Sequence, residues 1–335
     1  MKKISIIGVG VFGFALAKII GDKHFNKDVY IYDIQKKYID YIIKTKQHPA
    51  WKSIAQLSPR IKATYSLKEA VSNSELIILA IPSMFIRLAL KNFKPYLKEK
   101  VILLNIAKGL ENKTDMIMSE VIKDELKDVK IKYYICSLSG GMIAKEVVLK
   151  NPLCAEVACE NFAIAQKVVN IFKNDHFRLA VSTDIVGVDL AGAFKNVIAI
   201  GAGLFDGLGY SASSKSAFVS YAAEQISVLA FTLGAKKETF SMGGQAWFGD
   251  LMTTCFGKSR NREFGELIGK TKQVKEALQK LRSEGKTVEG YITAKVVYNL
   301  IVKHNIDAPL IKMIYNVLYK KMPAEKFIKS FIKDW

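Results

Sequence analysis

Residues 4–20 read Ile4-Ser5-Ile6-Ile7-Gly8-Val9-Gly10-Val11-Phe12-Gly13-Phe14-Ala15-Leu16-Ala17-Lys18-Ile19-Ile20. The short β-branched run at 4–7 predicts a strand, and residues 14–20 predict a helix. Between them lies a G-x-G-x-x-G pattern, in the strand-before, helix-after context that gives it meaning. Gly8 suits a tight turn, Gly10 lets backbone approach a pyrophosphate, and Gly13 lets the helix sit against the strand. Val11 and Phe12 open the helix, whose first N–H groups lack partners and attract anions. A second strand at 28–32 leads into Asp33, twenty residues beyond Gly13. That is where a carboxylate hydrogen-bonds the adenosine ribose of a dinucleotide. Gly8, Gly10, Val11, Phe12, Gly13 and Asp33 are therefore expected to bind the cofactor. A carboxylate at Asp33 repels a 2′-phosphate and favours NAD, while nearby Lys36 and Lys37 leave NADP open.

Working outward, a fully apolar run at 76–81 is followed by largely apolar strand-length runs at 101–106 and 131–137, with a further candidate strand at 152–158 and a helix at 161–173. Continuous apolar strands alternating with helices imply a parallel sheet covered on both faces, an α/β doubly wound, Rossmann-like domain. Ligands bind such sheets at the carboxyl ends of the strands, where Pro82, Lys108 and Gly140 fall. Beyond residue 183 the apolar strand runs stop. The rest reads as helices at 184–206, 213–233, 235–241, 261–269, 272–282, 290–304, 308–319 and 323–332. Two domains are expected: a dinucleotide-binding domain over 1–183 and an all-helical substrate and catalytic domain over 184–335.

Composition narrows the function. The formal net charge of +19 invites nucleic-acid binding, but only six of the 50 basic residues are arginine, and the lysines are scattered. No nucleic-acid partner is expected; the positive field instead suits an anionic small substrate. Cys136, Cys154, Cys159 and Cys255 form no C-x-x-C pair, and His24, His48, His176 and His304 are isolated in sequence. No metal site or disulfide framework is expected, and reduced thiols fit the cytoplasm. The best candidate membrane span is interrupted by Asp189 and Lys195, so none is expected.

That stretch, 184–209, is apolar and rich in small residues, yet carries Lys195-Asn196 at its centre. Gly192, Ala193, Ala199, Gly201, Ala202 and Gly203 leave room for another backbone or a flat ligand. So many glycines make a poor helix intrinsically, and packing must hold it together. An interior lysine is costly to desolvate unless paired. It either snorkels to the surface or serves a site.

The chain resembles the NAD(P)-dependent glycerol-3-phosphate dehydrogenase family over nearly its whole length. The resemblance is carried by residues 8–17, Ala107-Lys108-Gly109-Leu110, 190–209, Gly249-Asp250-Leu251-Met252-Thr253-Thr254-Cys255, Ser259-Arg260-Asn261-Arg262 and Val288-Glu289-Gly290. It implies an oxidoreductase interconverting dihydroxyacetone phosphate and sn-glycerol 3-phosphate, for phospholipid synthesis or glycolysis, and a homodimer. It implies that Lys195 is the general acid/base and Lys108 its partner, touching both cofactor and substrate. Asp250 and Thr254 help build the catalytic site. Gly140, Asn196, Asp250, Ser259, Arg260 and Asn261 meet the substrate, while Ala144, Arg260 and Glu289 meet the cofactor. Burial and a second cation would lower the Lys195 pKa towards working pH. Read without the resemblance, Asn261 better suits a helix N-cap and Asp250 a surface ion pair.

The chain departs from the family in three places. Gly141-Met142-Ile143-Ala144 replaces a segment with a hydroxyl residue, which leaves that contact missing at Met142. Ser211-Ala212-Ser213-Ser214-Lys215 loses an acid and an amide. The interval from Asp250 to Arg260 is one residue shorter than in many bacterial members. Three rival readings remain: a non-catalytic NAD(H)-binding sensor, a related dehydrogenase of another hydroxy acid or phosphosugar, and, behind these, nucleic-acid binding drawn by the positive charge.

Overall fold

The structure, a computed structural model, describes every residue except His24, Phe25, Lys52, Asp334 and Trp335, and omits the side chain of Lys333. The expectation for His24 thus lies outside the described residues. The chain divides into two compact units. One comprises Met1–Ala107 and Met118–Val188, the other Lys108–Ile117 and Asp189–Trp335. The boundary expected after residue 183 lies in the short connection just ahead of that division.

The first unit is built on eight strands: β1 Lys3–Ile7, β2 Asp28–Tyr32, β3 Lys62–Thr64, β4 Leu76–Leu79, β5 Val101–Asn105, β6 Tyr133–Ser139, β7 Leu153–Ala158 and β8 Phe177–Ser182. They form one sheet in the order β3-β2-β1-β4-β5-β6-β7-β8. Every pairing is parallel except β6 with β7. β4 and β5 are buried along their whole length, as apolar runs covered on both faces should be. Seven helices belong with the sheet: α1 Val11–Lys23, α2 Lys36–Thr45, α3 Leu67–Val71, α4 Ile86–Phe93, α5 Met118–Glu125, α6 Ala144–Val148 and α7 Phe162–Phe172. This is the expected doubly wound class. β3, β8, α3, α5 and α6 were not anticipated; β3 is too short for a pattern, and β8 alternates buried and exposed residues rather than running apolar.

The helical part runs α8 Ile185–Gly207, α9 Ala212–Thr232, α10 Asp250–Phe256, α11 Arg260–Thr271, α12 Val274–Ser283, α13 Glu289–Lys303, α14 Pro309–Tyr319 and α15 Ala324–Lys333. No helix forms at the expected 235–241. Gly234, with φ +97°, ends α9, and turns follow as far as Gly244. The segment closes through i to i+3 bonds: Phe240 N–H donates to the Lys237 carbonyl at 3.1 Å and Ser241 N–H to the Glu238 carbonyl at 3.3 Å. Instead a π-helical turn, Gln245–Gly249, leads into α10.

α8 passes the length and hydropathy test for a membrane span, but 94% of its most apolar window is buried inside the protein. Its core contacts include Phe205 stacked on Phe218 at 5.1 Å, with Phe327 and Phe331 edge-on. Its small residues receive another backbone. A Cβ at Gly203 would collide with the Arg262 carbonyl, and one at Gly207 with the Glu266 carbonyl. From the other side, a Cβ at Gly265 would collide with the Ile200 carbonyl. α8 and α11 therefore cross at backbone contact. Gly203→Ala should cost about 1–3 kcal/mol through overpacking, seen as a lower denaturant midpoint.

Candidate active site

Lys195 sits mid-α8 at 7% exposure, and its ammonium does not snorkel. Nζ donates to Asp250 Oδ1 at 2.7 Å and to Thr254 Oγ1 at 2.6 Å. Asp250 opens α10 at 2% exposure, and so is no surface ion pair. Its other oxygen, Oδ2, accepts from Lys108 Nζ at 2.6 Å. One buried carboxylate thus serves two ammoniums. Thr254 lies one helical turn beyond Asp250 and donates to its carbonyl at 2.6 Å, which leaves its oxygen facing Lys195.

A chain of amides holds this group in place. Asn196 Nδ2 donates to the Lys108 carbonyl at 2.9 Å. Asn196 Oδ1 accepts from Asn261 Nδ2 at 2.8 Å, and Asn261 Oδ1 accepts from Gly290 N–H at 3.0 Å. The relay joins the Lys108 segment, α8, α11 and the first turn of α13. Gly290 leaves room for it: a Cβ there would lie 2.6 Å from the Asn196 carbonyl. Asn261 is not the N-cap of α11. Ser259 is, and its Oγ accepts from Arg262 N–H at 3.5 Å. Arg260 stands apart from the carboxylate group: it is exposed and donates Nη1 to Thr287 Oγ1 at 3.2 Å. Glu289 begins α13, half-buried beside Gly290.

Burial is the main force on Lys195 and lowers its pKa from 10.5 to about 8. Asp250 opposes that shift, and Lys108 adds to it. An ammonium poised there can give or take a proton near physiological pH. On α10, burial pushes the Cys255 thiol up to about 12, so it stays neutral.

Sequence reading gave no role to Arg262. Its Nη1 donates to Asp206 Oδ2 at 2.6 Å and its Nε to the Gly257 carbonyl at 2.9 Å. Asp206 Oδ1 also holds Lys215 Nζ at 2.7 Å. This network anchors the turn in front of Ser259 and Arg260. Both cations stand in quoted motifs, but their shared carboxylate became visible only in the fold.

The glycine-rich loop belongs to the sheet unit. Gly8 adopts φ +97°, and a Cβ there would collide with the Ala80 carbonyl. A Cβ at Gly13 would collide with the Gly8 carbonyl, whereas one at Gly10 would meet nothing within 4 Å. The loop is therefore tight behind and open in front at Gly10. Phe14 N–H makes the first helical bond, to the Gly10 carbonyl at 3.0 Å, so the N–H groups of Val11, Phe12 and Gly13 precede the helical ladder. This arrangement fits a pyrophosphate. Asp33, half-buried after β2, accepts from Val9 N–H and Gln35 N–H, each at 2.8 Å. Each oxygen retains a lone pair for a further donor. Gly140 follows β6, where a Cβ would lie 2.6 Å from that of Ala155, and Ala144 begins α6.

Asp250→Asn should cost about 3–5 kcal/mol near neutral pH, because it leaves a buried ammonium without its counter-charge. Part of that deficit should shrink as pH rises through about 8, where Lys195 gives up its proton in the wild-type fold. Denaturant titrations at pH 7 and pH 9.5 would check both.

Family models match both parts of the chain. The N-terminal region of NAD-dependent glycerol-3-phosphate dehydrogenase matches residues 3–165, and its C-terminal region matches residues 184–329. A glycerol-3-phosphate dehydrogenase [NAD(P)+] of Clostridium botulinum (strain Eklund 17B / Type B) is 39% identical over 333 residues, covering 99% of this chain and 97% of that protein. The corresponding Bacillus pumilus protein is 34% identical over 333 residues, covering 99% and 94%. Among solved structures, the glycerol-3-phosphate dehydrogenase of Coxiella burnetii superposes with a TM-score of 0.90 at 26% identity, covering 99% of this chain and 98% of that one. By sequence over both regions and by fold, this chain belongs to the NAD-dependent glycerol-3-phosphate dehydrogenase family of oxidoreductases.

Proposed function

We propose that this protein interconverts dihydroxyacetone phosphate and sn-glycerol 3-phosphate with NAD(P)(H), with Lys195 as its proton donor and acceptor. The observation that carries the assignment of roles is the buried Lys195, tuned by burial and held by a carboxylate shared with Lys108. The nicotinamide supplies or takes the hydride. In the reducing direction Lys195 protonates the developing alkoxide, and in the oxidising direction it removes the hydroxyl proton. Lys108 adds positive charge that stabilises the same oxyanion. Asp250 and Thr254 orient the Lys195 ammonium. Arg260 provides planar, charge-assisted donors for the phosphate, beside the N-terminus of α11 and Ser259.

In this reading Asn196 and Asn261 line the substrate end through their amide relay, together with Gly140. Ala144, Glu289, Lys108 and Arg260 take part in holding the cofactor, together with Gly8, Gly10, Val11, Phe12, Gly13 and Asp33. The sheet unit serves the dinucleotide, and the helical unit supplies the proton donor and the anion donors. Met142, without a hydroxyl, leaves more of the substrate's hold to Arg260 and the two lysines. The reading extends to a homodimeric, cytoplasmic enzyme supplying glycerol phosphate for phospholipid synthesis or passing it to glycolysis. The family resemblance supports self-association, and the cysteine usage supports the compartment.

Mixing the protein with NADH and dihydroxyacetone phosphate should consume NADH, and Lys195→Ala should abolish that while still binding NADH. No consumption by the wild type would overturn the proposal. The reduction should lose rate above pH of about 8, and the oxidation should gain rate up to that pH, because the first needs Lys195 charged and the second neutral. At saturating cofactor, Arg260→Ala should raise KM for the phosphorylated substrate about 10- to 100-fold, the worth of charge-assisted hydrogen bonds, and leave unphosphorylated glycerol turnover unaffected.

A further inference from the structure

His48 lies beneath the glycine-rich loop at 3% exposure, in the segment after α2. Its ring stacks on Tyr38 and meets Phe14 and Trp51. Nδ1 accepts from Ala50 N–H at 3.1 Å, so that nitrogen carries no proton. The proton sits on Nε2, which donates to the Val9 carbonyl at 3.1 Å. Burial, opposed by the Val9 contact and by Asp33, holds His48 below the ordinary imidazole pKa and keeps this neutral form.

Val9 is thereby gripped at both ends. Asp33 takes its N–H at 2.8 Å, and His48 holds its carbonyl. The Val9–Gly10 peptide is planar and trans, so its carbonyl and the Gly10 N–H point in opposite directions. A carbonyl held towards the buried ring turns the Gly10 N–H away from that ring, and Gly10 itself is exposed, with open space where a Cβ would stand. We propose that His48 is a positioning residue for dinucleotide binding: its bond to the Val9 carbonyl aims the Gly10 N–H at the cofactor pyrophosphate. The proposal rests on the reading of this loop as the dinucleotide site. Tyr38, Phe14 and Trp51 fix the ring, and the Ala50 N–H sets its tautomer.

The test measures NADH dissociation constants for wild type, His48→Leu, His48→Gln and Gly10→Asp, together with steady-state kinetics. Leucine fills the space without a donor and should weaken NADH binding about 5- to 15-fold, the worth of one buried hydrogen bond. Glutamine, whose amide nitrogen reaches about as far as Nε2, should restore wild-type affinity. The kcat at saturating NADH and the KM for dihydroxyacetone phosphate should stay unchanged in both. If leucine does not fold, His48→Asn, too short to reach Val9, takes its place and should bind as weakly. Wild-type affinity in the leucine or asparagine variant would overturn the proposal. Equal loss in the glutamine variant would do so too, since packing alone would then explain it. Gly10→Asp separates the two levels: it should abolish NADH binding, and unchanged binding would show that the loop itself is not the site.

Discussion

Two ammoniums share one buried carboxylate, and the helical unit is arranged around keeping that group satisfied. Lys195 on α8 could not remain charged at its depth without Asp250, because desolvation of an unpaired ammonium far exceeds the worth of local packing. Asp250 in turn reaches that depth on α10, whose entry is the π-helical turn at Gln245–Gly249. Lys108 takes the second oxygen, and the Asn196 amide pins the Lys108 backbone. Burial lowers the Lys195 pKa, while the carboxylate prevents burial from neutralising it altogether. The balance leaves a lysine that titrates near 8, a property that neither the residue type nor its neighbours in sequence would produce.

Backbone proximity does the comparable work between helices. α8 and α11 meet where glycine faces carbonyl on both sides, which brings Asn261 within reach of Asn196 and sets the start of α11. Arg262, Asp206 and Lys215 then anchor the turn leading to Ser259 and Arg260. The glycines that make α8 a poor helix in isolation are the condition for this crossing, so its stability is tertiary.

In the sheet unit, the same logic of exclusion and room acts on a loop. Gly8 and Gly13 are demanded by close backbone contact, whereas Gly10 faces open space, which leaves its backbone accessible to a ligand. The groups that orient the peptide between them, Asp33 and His48, arrive from distant segments. Asp33 was legible because dinucleotide folds place an acid at a set distance after the glycines. His48 was not, because an isolated histidine in a mixed polar stretch carries no spacing signal.

The sequence by itself determined the sheet class, the glycine loop, most of the helices and the residue types of the site. These depend on local periodicity and on motifs short enough to act within one element, as at residues 4–20. It also marked Lys195 as anomalous, since an interior lysine in an apolar run violates burial preference without help. Only the tertiary structure decided that Asp250 is deeply buried between two lysines, that Ser259 rather than Asn261 caps α11, and that 235–241 forms turns instead of a helix. The first two outcomes depend on contacts between residues far apart in the chain, such as Asn196 with Lys108 and Asn261 with Gly290. Periodicity describes which face of an element is apolar; it carries no information on which carboxylate, amide or carbonyl will stand opposite once the elements pack.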